Sequence, residues 1–232
     1  SLARKLAALE GFGMDRPVGA EIFASGMGAV SAAIMGIACA GDHLVAQSVL
    51  YGTTNHLVAE ILPNYDITTS RVDLLEAEAL EAELVSNPST KVVYVETPAN
   101  PTMSVVDIAR TVEIAHSHGA RVIVDNTFAT PILQRPLSMG ADVVVHSTTK
   151  FINGHGTVIG GALVCRDPDF IENGGGALVR YMGAVPSPMD CWLTSIGLKT
   201  LPLRMREHCS NARALAELLE SSDKVAKTFW PG

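Results

Sequence analysis

The sequence predicts an α/β fold, a mostly parallel sheet held between helices, and three observations carry that expectation. Short β-rich runs alternate with helical patterns over residues 1–185, and such alternation marks strand–helix–strand crossovers. Three of the runs, "KVVYVE", "RVIVDN" and "DVVVHS", are apolar almost throughout and close on polar residues, as strands buried on both faces do. Hydrophobic residues make up 47% of the 232, enough to bury the core of one large domain.

Taken in order, "SLARKLAALEG" reads as a helix capped by Ser1. Residues 19–25 read as a strand, 28–41 as a buried helix and 42–47 as a second strand. A helix follows over 51–65, a strand over 66–72 and an amphipathic helix over 74–86. Strands at 91–97, 120–127, 141–147 and 160–166 come next, with a helix over 105–119 between the first two. "NGGGALV", at 173–179, reads as a helix-entry loop. Past residue 185 the pattern is helical and interrupted at Gly197 and Pro202. Residues 1–185 therefore read as one large domain, and 186–232 as a helical connection towards a further C-terminal domain. The chain starts without Met and stops on a Pro-Gly turn, so a piece of a longer protein is expected.

Charge and cysteine usage narrow the class. A net charge of −7 supplies no basic stripe to neutralise phosphates, which argues against a nucleic-acid partner. No apolar run reaches the roughly 18 residues of a membrane span, and the N-terminus has no signal pattern. Cys39, Cys165, Cys191 and Cys209 form no CxxC pair, the usage of free thiols in a reducing compartment. A soluble, cytoplasmic protein is the expectation. His43, His56, His116, His118 and His208 lack metal-ligand spacing and read as surface or core residues; His146 and His155 flank Lys150 with no role assigned.

The chemistry sits at strand ends. "ASGMGAVS" follows the first strand and opens a helix, where backbone N–H groups can hold a phosphate; equally, Gly26 and Gly28 can serve only to permit a tight turn. The segment is neither GxGxxG nor a Walker A loop, so a plain NAD-binding reading fails. Polar residues then close three successive strands: Glu96 and Asn100 in "VETPANPT", Asp125 and Asn126 in "VDNTFATP", and Ser147, Thr149 and Lys150 in "HSTTK". One strand-end Asp is ordinarily a cap or loop anchor. Three such ends in a parallel sheet lie along the edge where ligands bind. Lys150 is either a snorkelling side chain or, in an apolar setting, a desolvated amine free to act as nucleophile or base. Amine, acid and phosphate cradle together suggest a phosphorylated aldehyde held as a Schiff base, pyridoxal 5'-phosphate.

"ASGMGAVSAAI", "VYVETPANPTMSVVDIA" and "VIVDNTFATPILQRPLSMGADVVVHSTTKFINGHG" closely resemble the pyridoxal-phosphate enzymes of cysteine and methionine metabolism, over nearly the whole chain. That trans-sulfuration family includes cystathionine γ-synthases and γ-lyases, methionine γ-lyases and O-acylhomoserine sulfhydrylases. The resemblance implies an aspartate-aminotransferase-like large domain and a homotetramer built as a dimer of dimers. It matches Lys150 to the lysine that holds the cofactor aldehyde and Asp125 to the acid beneath the pyridine nitrogen. Gly26, Met27, Ser147 and Thr149 match the phosphate cradle. Tyr51 matches the tyrosine that stacks on the ring and assists proton transfer, and Asn100 the asparagine near its phenolic oxygen. The implied reaction is γ-elimination from a sulfur amino acid, methionine γ-lyase-like, giving 2-oxobutanoate, ammonia and a thiol. The alternative is γ-replacement, by an O-acetyl- or O-succinylhomoserine sulfhydrylase or a cystathionine γ-synthase or γ-lyase.

Departures from the family pattern limit the transfer. "MGAVPSPMD" and "TPANPTM" look most like methionine γ-lyases, whereas Thr53 stands where many of those carry Cys. "GHGTVIGG" is closer to O-acetylhomoserine sulfhydrylases. The family's N-terminal Tyr-x-Arg and the C-terminal arginine for the substrate carboxylate have no counterpart within these residues. The segment alone is expected to be a poor catalyst.

Overall fold

A computed structural model describes residues 1–231. Seven strands form one sheet: β1 (Gly19–Phe23), β2 (His43–Gln47), β3 (Thr68–Val72), β4 (Thr90–Glu96), β5 (Arg121–Asp125), β6 (Val143–Ser147) and β7 (Gly161–Cys165). Their spatial order is β1-β7-β6-β5-β4-β2-β3. From β6 to β3 all pairings are parallel, while β7 runs antiparallel to both β6 and β1. The exception has a local cause: no regular helix lies between β6 and β7, and a parallel return needs a crossover that a loop does not supply.

Helices cover both faces. The helix α1 (Leu2–Glu10) is capped by the Ser1 hydroxyl, and α2 (Gly26–Met35) by that of Ser25, which accepts from Gly28 N at 3.0 Å. α2 packs on one face against Phe23, Tyr94, Ile123, Val143, Val145 and Leu163. The helix expected over 51–65 is divided. A short α3 (Gly52–His56) passes into a π turn over Leu57–Ile61 and a 3-10 turn over Leu62–Tyr65, where Pro63 lacks the N–H that a continuing helix requires. On the opposite face α4 (Ala77–Ser86) and α5 (Ile108–Ser117) cover Val93, Val95, Val122 and Val124. Here Asp107 caps α5 through Arg110 N.

The short helices α6 (Thr130–Leu133), α7 (Pro168–Glu172) and α8 (Leu178–Met182) join these layers, and a 3-10 turn over Gly175–Ala177 leads into α8. Two helices finish the described chain, α9 (Pro188–Gly197) and α10 (Leu201–Glu220), with a 3-10 turn between them. Leu198, Leu201 and Met205 are buried with Leu2, Leu6, Ile22 and Ile152, so this C-terminal stretch packs on α1 and the sheet. None of the described helices is long and apolar enough to cross a membrane.

Candidate active site

Between β2 and β4 the chain reverses direction across the sheet: it steps outward to β3, then returns to the far side of β2. A crevice opens at such a switch point, beyond the carboxyl ends of the strands. Here it is a cavity of about 420 Å³, within the size range of small-molecule sites. Gly26, Met27, Tyr51 and Asn100 line it together with Asp125, Ser147, Thr149 and Lys150. The structure thus brings to a single cavity all eight residues that the family resemblance matches to the cofactor site, and Glu96 with them, whereas Gly28 and Asn126 do not line it.

The part of the cavity beside α2 is built by close packing. Ser25 is the N-cap of α2 and takes Gly28 N, so helix geometry leaves the Gly26 and Met27 N–H groups without intrahelical partners. A Cβ on Gly26 would lie 2.7 Å from Ser147 Cβ and 2.9 Å from Ser147 Oγ. The need for glycine at 26 is therefore close approach to β6 and not a turn conformation. Gly161 completes the fit: a Cβ there would meet Ser25 O at 2.1 Å. Thr149 Oγ1 already exchanges hydrogen bonds with Gly160, accepting from its N at 3.0 Å and donating to its O at 3.2 Å. An anion would have to win that proton from Gly160.

Strand alternation puts Tyr94, Glu96, Asp125 and Ser147 on the α2 face. Glu96 and Asp125 are direct register partners at the ends of β4 and β5. Asp125 Oδ1 accepts from Thr127 N at 3.0 Å and from the Thr127 hydroxyl, while Tyr94 OH donates to Oδ2 at 3.3 Å. Burial pushes the Asp125 carboxyl above the usual range, and the Thr127 hydrogen bonds pull against it. Burial, then the charges of Asp125 and Glu96, drive the Tyr94 phenol well above its ordinary value. Tyr94 is therefore a fixed donor.

Glu96 closes β4, and its role is architectural. Its Oε2 accepts from Tyr51 N and its Oε1 from Asn100 N, each at 2.9 Å. One carboxylate thus ties the turn after β2 to the loop after β4, and places both cavity residues. Burial first, and Asp125 second, push its carboxyl up to about 7 against the pull of the two amides. Thr127 was missed, although a "D-x-T" at a strand end is an Asx-turn signal. Its hydroxyl accepts from Ser147 N at 2.8 Å and so links the acid strand to the cradle strand. Phe128 and Ile159 supply apolar wall.

Lys150 lines the cavity but is exposed, so of its two possible settings the structure shows the solvent-reachable one. The amine is reachable from solvent. Tyr51, 44% exposed, stands at the rim. His43, by contrast, is buried and bonds Thr90 at 2.8 Å and Ser70 at 3.0 Å, a core role. Among the described residues no group of three or more His, Cys, Asp or Glu is placed to hold a metal ion. The donor set fits a phosphorylated aldehyde: unpaired helix-terminal amides and a serine hydroxyl, a half-buried carboxylate and a reachable amine.

Comparison with known proteins agrees with that chemistry. Residues 1–232 match the family described as Cys/Met metabolism PLP-dependent enzyme. The chain is 46% identical over 230 residues to the L-methionine gamma-lyase of Porphyromonas gingivalis, covering 98% of this chain and 56% of that protein. It is 43% identical over 219 residues to the cystathionine gamma-synthase of Mycobacterium tuberculosis, covering 92% and 54%. Among solved structures, a cystathionine gamma synthase from Xanthomonas oryzae pv. oryzae in complex with aminoacrylate and cysteine superposes with a TM-score of 0.92 at 38% identity, covering 100% of this chain and 58% of that one. The chain spans about half the length of the curated relatives it matches.

Proposed function

The chain belongs to the Cys/Met metabolism PLP-dependent enzyme family, and from that premise we propose that its cavity holds pyridoxal 5'-phosphate and carries out γ-elimination on a sulfur amino acid. The observation that carries the proposal is the convergence of Asp125, Lys150 and the Gly26–Ser147 cradle on one cavity. When bound, the cofactor supplies an electron sink for charge developing at the substrate's α-carbon.

The chain's own residues do the rest. The Gly26 and Met27 amides and the Ser147 hydroxyl would hold the phosphate, aided by the positive end of α2. Asp125 would accept a hydrogen bond from the ring N–H, its ionised form held by Thr127 and Tyr94. Lys150 would anchor the aldehyde and, as an amine, serve to move the α-proton. Tyr51, at the rim, would cover the ring and assist proton transfer to a departing γ-substituent. Methionine and water would give 2-oxobutanoate, ammonia and methanethiol, with no change of oxidation state beyond the elimination and hydrolysis.

Gamma-replacement is the second reading, and the cystathionine gamma-synthase relative favours it. Its 43% identity against 46% for the methionine gamma-lyase does not separate the two outcomes. Membership of this family makes a homo-oligomer the expected working unit. The experiment is a substrate panel on the cofactor-loaded protein with whatever flanking sequence it naturally carries. Release of 2-oxobutanoate from methionine supports elimination. Thiol-dependent product from an O-acylhomoserine, with none from methionine, replaces it with the second reading.

A further inference from the structure

We propose that Glu10, on α1 and on the far side of the sheet from the cavity, is a positioning residue that holds the strand ends carrying the cofactor ligands; this rests on the cavity being the pyridoxal phosphate site.

Glu10 and His146 are both fully buried. Glu10 Oε1 accepts from Asn126 Nδ2 at 2.8 Å and from His146 Nε2 at 2.7 Å. Asn126 directly follows Asp125, and His146 directly precedes Ser147. Because side chains alternate across a strand, these neighbours point away from the cavity while Asp125 and Ser147 point into it. A single oxygen thus fixes the relative position of the acid's strand end and the cradle's strand end. The regular β5–β6 register ends at Asp125 opposite Val145, where Asn126 N donates to Val145 O at 3.0 Å and Ser147 N to Thr127 Oγ1 at 2.8 Å, and the carboxylate adds a side-chain tie between the same two strand ends.

The brace extends to a third strand. Asn126 Oδ1 accepts from Gln134 Nε2 at 3.0 Å, and the same nitrogen donates to Thr97 O at 3.1 Å. Asn126 Nδ2 also donates to Gln134 O at 2.9 Å. Thr97 follows Glu96, the clamp on Tyr51 and Asn100. The turn that returns Gln134 to Asn126 passes through Thr130, fully buried at φ +59°, a conformation a β-branched residue adopts only under tertiary constraint. The strand ends bearing Glu96, Asp125 and Ser147 are therefore tied together from behind and anchored to α1.

Packing does not account for the carboxylate. Glu10 Oε2 and His146 Nδ1 are buried without hydrogen-bond partners among the described residues, which is costly for a charged group. An apolar residue would fill the space more cheaply. What it could not do is accept two hydrogen bonds at once from two strands.

The test measures pyridoxal phosphate affinity of the apo chain by equilibrium titration, alongside urea stability, in Glu10→Ala, Glu10→Gln and Leu6→Ala. Leu6 is fully buried on the same helix and makes none of the brace's hydrogen bonds, so Leu6→Ala controls for general loosening. The expected result is at least a tenfold weaker affinity in Glu10→Ala, recovery to within about threefold in Glu10→Gln, which keeps an acceptor oxygen, and less than about twofold change in Leu6→Ala. Affinity within twofold of the parent in Glu10→Ala, equal weakening in Leu6→Ala, or no recovery in Glu10→Gln overturns the brace. Should Glu10→Ala not fold, Gln134→Ala takes its place, with a loss of at least about fivefold expected and an unchanged affinity contradicting the proposal. A parent chain that binds no pyridoxal phosphate would refute the cavity reading itself, and the brace with it.

Discussion

Glu96→Gln isolates the buried clamp, and its effect can be worked out as a function of pH. In the parent, burial raises the Glu96 carboxyl from 4.5 to about 7. Below the unfolded value both states are protonated and the group adds no pH dependence. As pH rises from about 4.5 towards 7, the unfolded chain gives up its proton while the folded chain keeps it, so stability falls across that window. A shift of this size at about 1.4 kcal/mol per unit corresponds to a loss of about 2 to 3 kcal/mol between about pH 5 and about pH 8. Glutamine cannot ionise, so the variant escapes that loss. It carries a fixed cost instead, because its one acceptor oxygen cannot serve both Tyr51 N and Asn100 N, and an unpaired buried amide costs about 1–3 kcal/mol. That cost cancels when the parent–variant difference is compared between two pH values. Urea unfolding of both proteins at about pH 5 and about pH 8 should show the difference moving by about 2 to 3 kcal/mol in the variant's favour. A difference that moves by less than about 1 kcal/mol, or in the opposite direction, refutes the account of Glu96 as a buried, burial-shifted carboxyl.

Other outcomes follow from particular contacts. Gly26→Ala places a methyl 2.7 Å from Ser147 Cβ, which should cost about 1–3 kcal/mol of stability in urea unfolding and weaken phosphate binding in a titration with inorganic phosphate. Arg204 donates to Phe151 O at 2.7 Å, Gly197 O at 2.9 Å and Thr200 Oγ1 at 3.0 Å, holding the turn just after Lys150. Arg204→Ala should destabilise by about 2–4 kcal/mol and speed amide exchange at residues 151–154, whereas unchanged exchange there would remove Arg204 from the support of Lys150. Ser147→Ala should weaken pyridoxal phosphate binding in equilibrium titration about tenfold, as loss of a hydrogen bond to a charged group does, without altering urea stability.

The five inner strands were legible because they are largely buried on both faces and announce themselves as apolar runs, while the edge strands β1 and β3 are partly exposed; each of the seven segments named from sequence overlaps a strand. Helix ends were less so. The helix expected over 28–41 stops at Met35, where Gly36 presses on Gly175, the site of an added Cβ lying 2.4 Å from Gly175 Cα. That contact spans far too much sequence for a local pattern to report. The same division holds at the site. Residues at strand ends could be found one by one, since the carboxyl edge of a parallel sheet is where polar residues converge. Glu96's grip on two loops and Glu10's on two strands could not, because each depends on at least one partner 45 or more positions away. The exposure of Lys150 was likewise hidden, since the apolar run before it describes the strand and not the turn.

The central claim is that Lys150 holds the aldehyde of pyridoxal phosphate in this cavity. Incubating the chain with the cofactor, reducing with borohydride and mapping peptides by mass tests it directly. A pyridoxyl group on the peptide containing Lys150, and its loss in Lys150→Ala, is the result predicted. Labelling spread over other lysines, or none at Lys150 with the cofactor in excess, would contradict it.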